Sequence, residues 1–235
     1  LKEVYKVNKN IVLVLMNGRP LTLPWEAENI PAIVETWHLG TEAGNAIADV
    51  ITGKYNPSGK LPMSFPRSVG QLPIYYNHKN TGRPSSGPGQ VFYTHHGDVD
   101  NSPLYPFGFG LSYSKFEYEN LQIDKNSMSA SDSIIVSVTV QNTSTVDGEE
   151  VIQLYLQDEV GSITRPVKEL KDFKKLMIKA GTSQVVSFTI NQKDLAFYRK
   201  DFTYGTEPGS FKVFVGTNSN DLLMGQFELT EGTDL

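Results

Sequence analysis

The order of apolar and polar positions changes character near residue 75. Before it, Leu1, Val4 and Tyr5 fall at helical spacing, and residues 11–16 (Ile-Val-Leu-Val-Leu-Met) form an unbroken apolar run. A strand apolar on both faces is what a parallel sheet covered by helices requires. Asn17, Gly18, Arg19 and Pro20 signal a turn, and residues 32–37 supply a second strand. The next segment predicts a helix: Thr41 can cap its free amides and Glu42 suits its first turn. Ala43, Ala46, Ile47, Val50 and Ile51 then recur along one stripe until Gly53 ends it. This is βαβα grammar with two or three strands, too few to cover both faces of a parallel sheet. Partner strands are expected from residues upstream of a chain that starts at Leu1 as a processed or truncated product.

From about residue 116 the period becomes two. Ile134, Val136, Val138 and Val140 form one ladder, and Ile152, Leu154 and Leu156 a second. Val186, Phe188 and Ile190 make a third, Phe211, Val213 and Val215 a fourth, and Phe227 with Leu229 a last short strand. Turn signals at residues 146–148 and 179–181 separate them, which predicts an antiparallel β-sandwich. Val167, Leu170, Phe173 and Leu176 recur every three residues, as in a helix, but Pro166 and the surrounding strands favour extended structure.

Periodicity vanishes between residues 75 and 113, where Gly, Pro, Asn and Ser accumulate. A long irregular stretch in a compact protein is usually functional or a linker. Tyr75, Tyr76, Phe92, Tyr93, Tyr105, Phe107, Phe109 and Tyr113 give it an aromatic density well above the 11% of the whole chain. Disordered linkers lack aromatics, so an ordered loop packed on a surface is expected.

The 235 residues carry a net charge of −5 and no basic run, which offers no footprint for nucleic acid. The absence of cysteine removes disulfides, thiolate metal sites and cysteine nucleophiles. No apolar run approaches the ~18 residues of a spanning helix, so no membrane partner is expected.

Several motifs fail on inspection. The stretch from Gly53 to Lys60 has five residues between its glycines where a phosphate loop needs four, and Leu61 replaces the required hydroxyl. Gly108-Phe109-Gly110 starts a dinucleotide fingerprint that Tyr113 breaks. His95 and His96, with Asp98 and Asp100, are the only cluster of metal-ligand types, but adjacent histidines in an extended chain face opposite ways. No metal or cofactor is expected. None of the four histidines has a paired serine signature for a hydrolytic triad. Asn142-Thr143-Ser144 satisfies the glycosylation pattern and equally suits a turn. Trp25 and Trp37 are either core or ligand-facing; Trp37 ends a presumed parallel strand, where α/β ligands gather.

Three stretches carry a specific likeness: Val-Leu-Val-Leu-Met-Asn-Gly-Arg-Pro (12–20), Glu-Thr-Trp-His-Leu-Gly-Thr-Glu-Ala-Gly-Asn-Ala-Ile-Ala-Asp-Val (35–50) and Asn-Pro-Ser-Gly-Lys-Leu-Pro-Met-Ser-Phe-Pro (56–66). They resemble the second domain of glycoside hydrolase family 3 β-glucosidases. Leu-Tyr-Pro-Phe-Gly-Phe-Gly-Leu-Ser-Tyr (104–113) resembles the signature that precedes that family's C-terminal domain. Residues 75–84, with Asn-Thr-Gly-Arg-Pro at 80–84, are similar to its bacterial periplasmic members. The resemblance implies an α/β partial sandwich domain over 1–74, an ordered linker or loop facing the active site over 75–115, and an all-β fibronectin type III-like (immunoglobulin-like) β-sandwich over 116–235.

The resemblance also implies a retaining exo-acting enzyme, periplasmic or secreted, that removes β-linked glucose or a related sugar. Such chemistry needs two carboxyl groups about 5 Å apart. In the family the nucleophilic Asp lies on a barrel domain and the acid/base Glu upstream of the first strand. Neither maps onto this chain: Glu3 sits in a helical context, and Asp132 lies in the β half. The chain alone is therefore expected to hydrolyse nothing, and its uncovered apolar strands to favour self-association. Arg83, His96, Asp98 and Asp100 are the candidate substrate-binding residues, able to hydrogen-bond sugar hydroxyls beside the loop's aromatics. The other reading of the same loop is a strap docking the sandwich onto the α/β layer. A non-catalytic binding or scaffolding module is the alternative function; it would not need the first 75 residues.

Overall fold

The computed structural model describes residues 1–84 and 92–235; residues 85–91 of the loop lie outside the description. The amino-terminal part contains α1 (Lys2–Val7), β1 (Val12–Leu15), α2 (Pro24–Asn29), β2 (Ala32–Glu35) and α3 (Ala43–Ile51). Strands β1 and β2 pair in parallel, Val12 opposite Ala32 through Leu15 opposite Glu35. Trp25 packs edge-on to Tyr5 at 5.4 Å and so joins α2 to α1. Thr41 does not cap α3: residues 41–42 form a turn in which the Ala43 amide donates to Gly40 O, and Glu42 occupies the cap position. Gly53, at φ +74, ends the helix in the left-handed region that glycine tolerates.

None of α1, α2 and α3 carries a buried residue, and β1 and β2 are at best half-buried. Val4, Val7, Val12 and Met16 stand exposed.

The strands of the second part follow in chain order: β3 (Phe116–Ile123), β4 (Ser127–Met128), β5 (Ser133–Asn142), β6 (Gly148–Asp158), β7 (Glu169–Ile178) and β8 (Ser183–Asn191). After the short α4 (Gln192–Leu195) come β9 (Phe197–Tyr198), β10 (Tyr204–Gly205), β11 (Gly209–Gly216) and β12 (Leu222–Leu229). One sheet has the order β4-β12-β11-β6-β7, the facing one β3-β5-β8. Residues 169–178 are a strand, as Pro166 and the context predict. The last strand runs eight residues, longer than its apolar pair suggests.

The core lies between these sheets. Ile134, Val136, Val138 and Val140 of β5 meet Ile152, Leu154 and Leu156 of β6, Val186, Phe188 and Ile190 of β8, and Phe211, Val213 and Val215 of β11. Side chains two apart share a face, so each alternating ladder delivers one wall of the core. Asn142 is also inside; its Nδ2 donates to Val146 O at 2.8 Å and Ile178 O at 3.0 Å. The glycosylation pattern at this residue is thus a turn, its amide enclosed and committed to the backbone.

Candidate functional site

Alternation breaks on β6. Gln153 and Tyr155 point away from the core formed by Ile152, Leu154 and Leu156, yet both are buried. The cover is the returning leg of the aromatic loop together with Tyr76 from its outgoing leg. Tyr76 stacks on Phe107 at 4.2 Å, and both meet the Tyr155 ring edge-on. Gln153 Nε2 donates to Gly108 O and Thr217 O, Tyr155 Oη donates to Gln153 Oε1, and the Ser219 amide donates to Phe107 O. Gly108 has φ +79, where a side chain strains the backbone, and a Cβ there would press on the Gln153 amide.

The same leg is laced to residues 56–65. The Leu61 amide donates to Phe109 O, Gly108 to Leu61 O, Phe65 to Tyr105 O and Leu104 to Phe65 O, all at 2.8 Å. Lys60 Nζ, largely enclosed, forms an ion pair with Glu150 at 3.1 Å and donates to Thr217 Oγ1 and Gly110 O. Tyr118 Oη also donates to Glu150, and burial together with that carboxylate pushes its phenol pKa up. Asn56 closes the junction: its Nδ2 donates to Ser114 Oγ and Asp147 O, and its Oδ1 accepts from Ser112 Oγ and the Tyr113 amide. The strap reading of this leg therefore has an atomic basis.

The far end of the loop is different. Arg83, His96, Asp98 and Asp100 are all exposed. The Thr94 amide donates to Arg83 O, Pro84 bridges Thr94, and the His96 amide donates to Asn101 Oδ1, so the fold brings Arg83 and His96 onto one small knot. Asp100 is tied back to the base: its carboxylate accepts from the Ser102 amide, which holds its pKa low, and its carbonyl accepts from Gln71 Nε2. Asp98 makes no hydrogen bond with its side chain among the described residues. His95 Nδ1 lies 2.8 Å from Tyr93 O, and among the described residues no three His, Asp or Glu converge on a metal position.

Sequence reasoning passed over a second polar group at the carboxyl ends of the parallel strands. Glu35 Oε1 accepts from the Trp37 amide and Oε2 from Asn17 Nδ2, stitching the turns after β1 and β2. Trp37 adopts φ +51, costly for a residue with a Cβ. Asn17 Oδ1 is buried without a donor among the described residues. The signal for this group was the position of Asn17 and Trp37 just past two strand ends. Trp37 packs edge-on to Phe65 at 5.9 Å, and Phe65 to Tyr105 at 6.2 Å. The returning leg of the loop is thus joined through Phe65 to Trp37.

Residues 1–113 match the glycosyl hydrolase family 3 C-terminal domain, and residues 150–219 the fibronectin type III-like domain. The chain belongs to glycoside hydrolase family 3. This family 3 chain corresponds to the C-terminal region of its relatives, an α/β part followed by a fibronectin type III-like sandwich. It is 51% identical over 222 residues to a periplasmic β-glucosidase of Salmonella typhimurium, covering 94% of this chain and 29% of that protein. A β-xylosidase of Formosa agariphila is 44% identical over 221 residues, with 93% and 29% covered. The crystal structure of a Listeria innocua β-glucosidase with isofagomine superposes with a TM-score of 0.92 at 44% identity, over 97% of this chain and 32% of that one. The chain spans about three-tenths of the length of these relatives.

Proposed function

We propose that this chain forms one wall of the sugar site of a retaining, exo-acting β-glucosidase whose two catalytic carboxyl groups lie outside residues 1–235. The observation that carries the reading is the aromatic line Trp37–Phe65–Tyr105, which joins the carboxyl ends of β1 and β2 to the base of the loop. Ligands of α/β sheets gather at such strand ends. In this reading residues 1–74 are the end of the α/β domain, 75–115 the loop and 116–235 the sandwich. The loop has both roles weighed from the sequence: its returning leg is the strap, and Arg83, His96, Asp98 and Asp100 at its far end hydrogen-bond sugar hydroxyls. The substrate is a β-linked glucoside or gluco-oligosaccharide, and the location periplasmic or secreted, supported by the Salmonella relative. Exposed Val4, Val7, Val12 and Met16 favour self-association of the isolated chain.

The test has two arms. The 235-residue chain alone is expected to release no aglycone from an aryl β-glucoside, and measurable turnover refutes the location of the carboxyl groups. Arg83→Ala in a whole family 3 enzyme bearing this sequence is expected to raise KM with an unchanged melting temperature. A lowered melting temperature with normal KM removes Arg83 from the sugar site.

A further inference from the structure

The outgoing leg of the aromatic loop is hydrogen-bonded to the sandwich at one place among the described residues. The Val167 amide donates to His78 O at 2.9 Å, Pro166 bridges Lys79, and the Leu170 amide donates to Tyr76 Oη at 3.2 Å. These contacts come from the end of the β6–β7 connection, residues 159–168, and the start of β7. Arg83 follows Lys79 by four residues, so the place of Pro166 and Val167 sets where the outer reach of the loop begins.

What fixes Pro166 and Val167 is the residue before them. The Arg165 side chain, 12% exposed, lies between two carboxylates. Its Nε is 3.4 Å from Asp158 Oδ2 at the end of β6, and its Nη2 donates to Glu169 Oε2 at 2.9 Å at the start of β7. The guanidinium also covers the Phe197 ring, 4.1 Å from its centre. A planar fork can face two carboxylates and stack on a ring at once, which an ammonium cannot. Gly161 leaves the room: a Cβ there would lie 3.0 Å from Arg165 Cγ and 3.2 Å from Asp158 Oδ2. Arg165 Nε and Asp158 Oδ2 form no hydrogen bond among the described residues, so charge is what joins them. Burial pushes the Asp158 pKa up against the pull of Arg165 and of a hydrogen bond from the Val160 backbone, and the charges of Glu207 and Glu169 add to the rise. The pair is thus largely out of water, and each ion depends on the other. The cluster lies outside the core between the sheets, and what it orders is the connection that carries Pro166 and Val167.

We propose that Arg165 is a positioning residue for the sugar site: through Pro166 and Val167 it places the outgoing leg that carries Arg83. The proposal rests on the reading of that loop as part of the sugar wall. In a whole family 3 enzyme bearing this sequence, Arg165→Met is compared with the double variant Asp158→Asn/Arg165→Met. The second substitution removes the buried charge that the single variant leaves unpaired, so the melting temperature is expected to return towards that of the parent. The peptide spanning Val167 and Leu170 is nevertheless expected to exchange its amides with deuterium about tenfold faster or more in both variants, because its clamp on His78 and Tyr76 is lost. KM is expected to rise about three- to tenfold in the double variant, the loss of one hydrogen bond to a sugar hydroxyl, with kcat held. A merely structural Arg165 gives the opposite result, with KM and exchange recovering alongside the melting temperature, and that overturns the proposal. Exchange unchanged in both variants overturns it as well. Arg83→Ala, measured beside them, separates the two readings. KM raised by Arg83→Ala and unmoved by the double variant removes the positioning role and leaves the sugar wall standing; KM moved by neither removes both.

Discussion

Lys60→Met is expected to cost about 3–5 kcal/mol of stability, the range for removing one partner of an enclosed ion pair. The side chains of Lys60 and Glu150 are 11% and 3% exposed, so little water can replace the ammonium. Without it, among the described residues Glu150 retains hydrogen bonds only from Tyr118 Oη and Thr217 Oγ1, and Gly110 O loses the Lys60 donor. Those two hydroxyls put the expected loss at the lower end, about 3 kcal/mol. For a chain of this size that lowers the melting temperature by roughly 6 to 12 °C. The assay is thermal unfolding followed by circular dichroism at neutral pH, with the double variant Lys60→Met/Glu150→Gln beside the single one. The neutral amide still accepts from both hydroxyls, so the double variant is expected to recover more than half of the loss. A single-variant shift under about 2 °C, or a double variant no more stable than the single, would refute the claim that the junction is dry and held by this pair.

Two further outcomes follow from the same junction. Gly108→Ala meets both the left-handed backbone, about 1–2 kcal/mol, and the side chain of Gln153, and is expected to unfold at lower urea than the parent; an unchanged midpoint would show that Gln153 moves aside freely. Burial, with the Glu150 carboxylate for Tyr118 and Tyr76 for Tyr155, raises both phenol pKa values. Unfolded tyrosines ionise near about 10, so the stability these groups contribute is complete below that pH and declines as pH rises beyond it. Spectrophotometric titration should show them ionising only with alkaline unfolding, and their titration beside exposed tyrosines in a folded chain would contradict this.

The sandwich was legible because its ladders bury one face only. Val136 and Val186 need nothing beyond alternation to find the core, and βαβα grammar likewise found β1, β2 and α3. What alternation could not reveal is a strand covered on both faces by different partners. Gln153 and Tyr155 occupy positions that the period-two rule assigns to solvent, and their burial follows from Tyr76 and Phe107, some 50 to 80 residues earlier in the chain. Thr41 misled because a turn placed the cap one residue later. For the candidate site, the aromatic density of the loop announced an ordered segment, while Glu35 gave no cue. Its role comes from reaching Asn17 across two turns, a contact set by strand pairing and not by spacing.

The interlock of Leu61, Phe65, Tyr105 and Phe109 separates the loop into parts with different freedoms. Its base is clamped to the sandwich through Gln153 and Ser219, so a change in how β6 and β11 sit would be passed on to the ring line that ends at Trp37. Among the described residues of its outer reach, Thr81, Arg83, Thr94 and His96 bond to partners within the loop itself. On the proposed sugar-site reading, Arg83 and His96 are the positions to rewrite for altered sugar preference, and Gly108 and its partner Gln153 are the ones to leave untouched. The immunoglobulin-like module serves in that sense as a chassis, and the tip it holds out is the exchangeable tool.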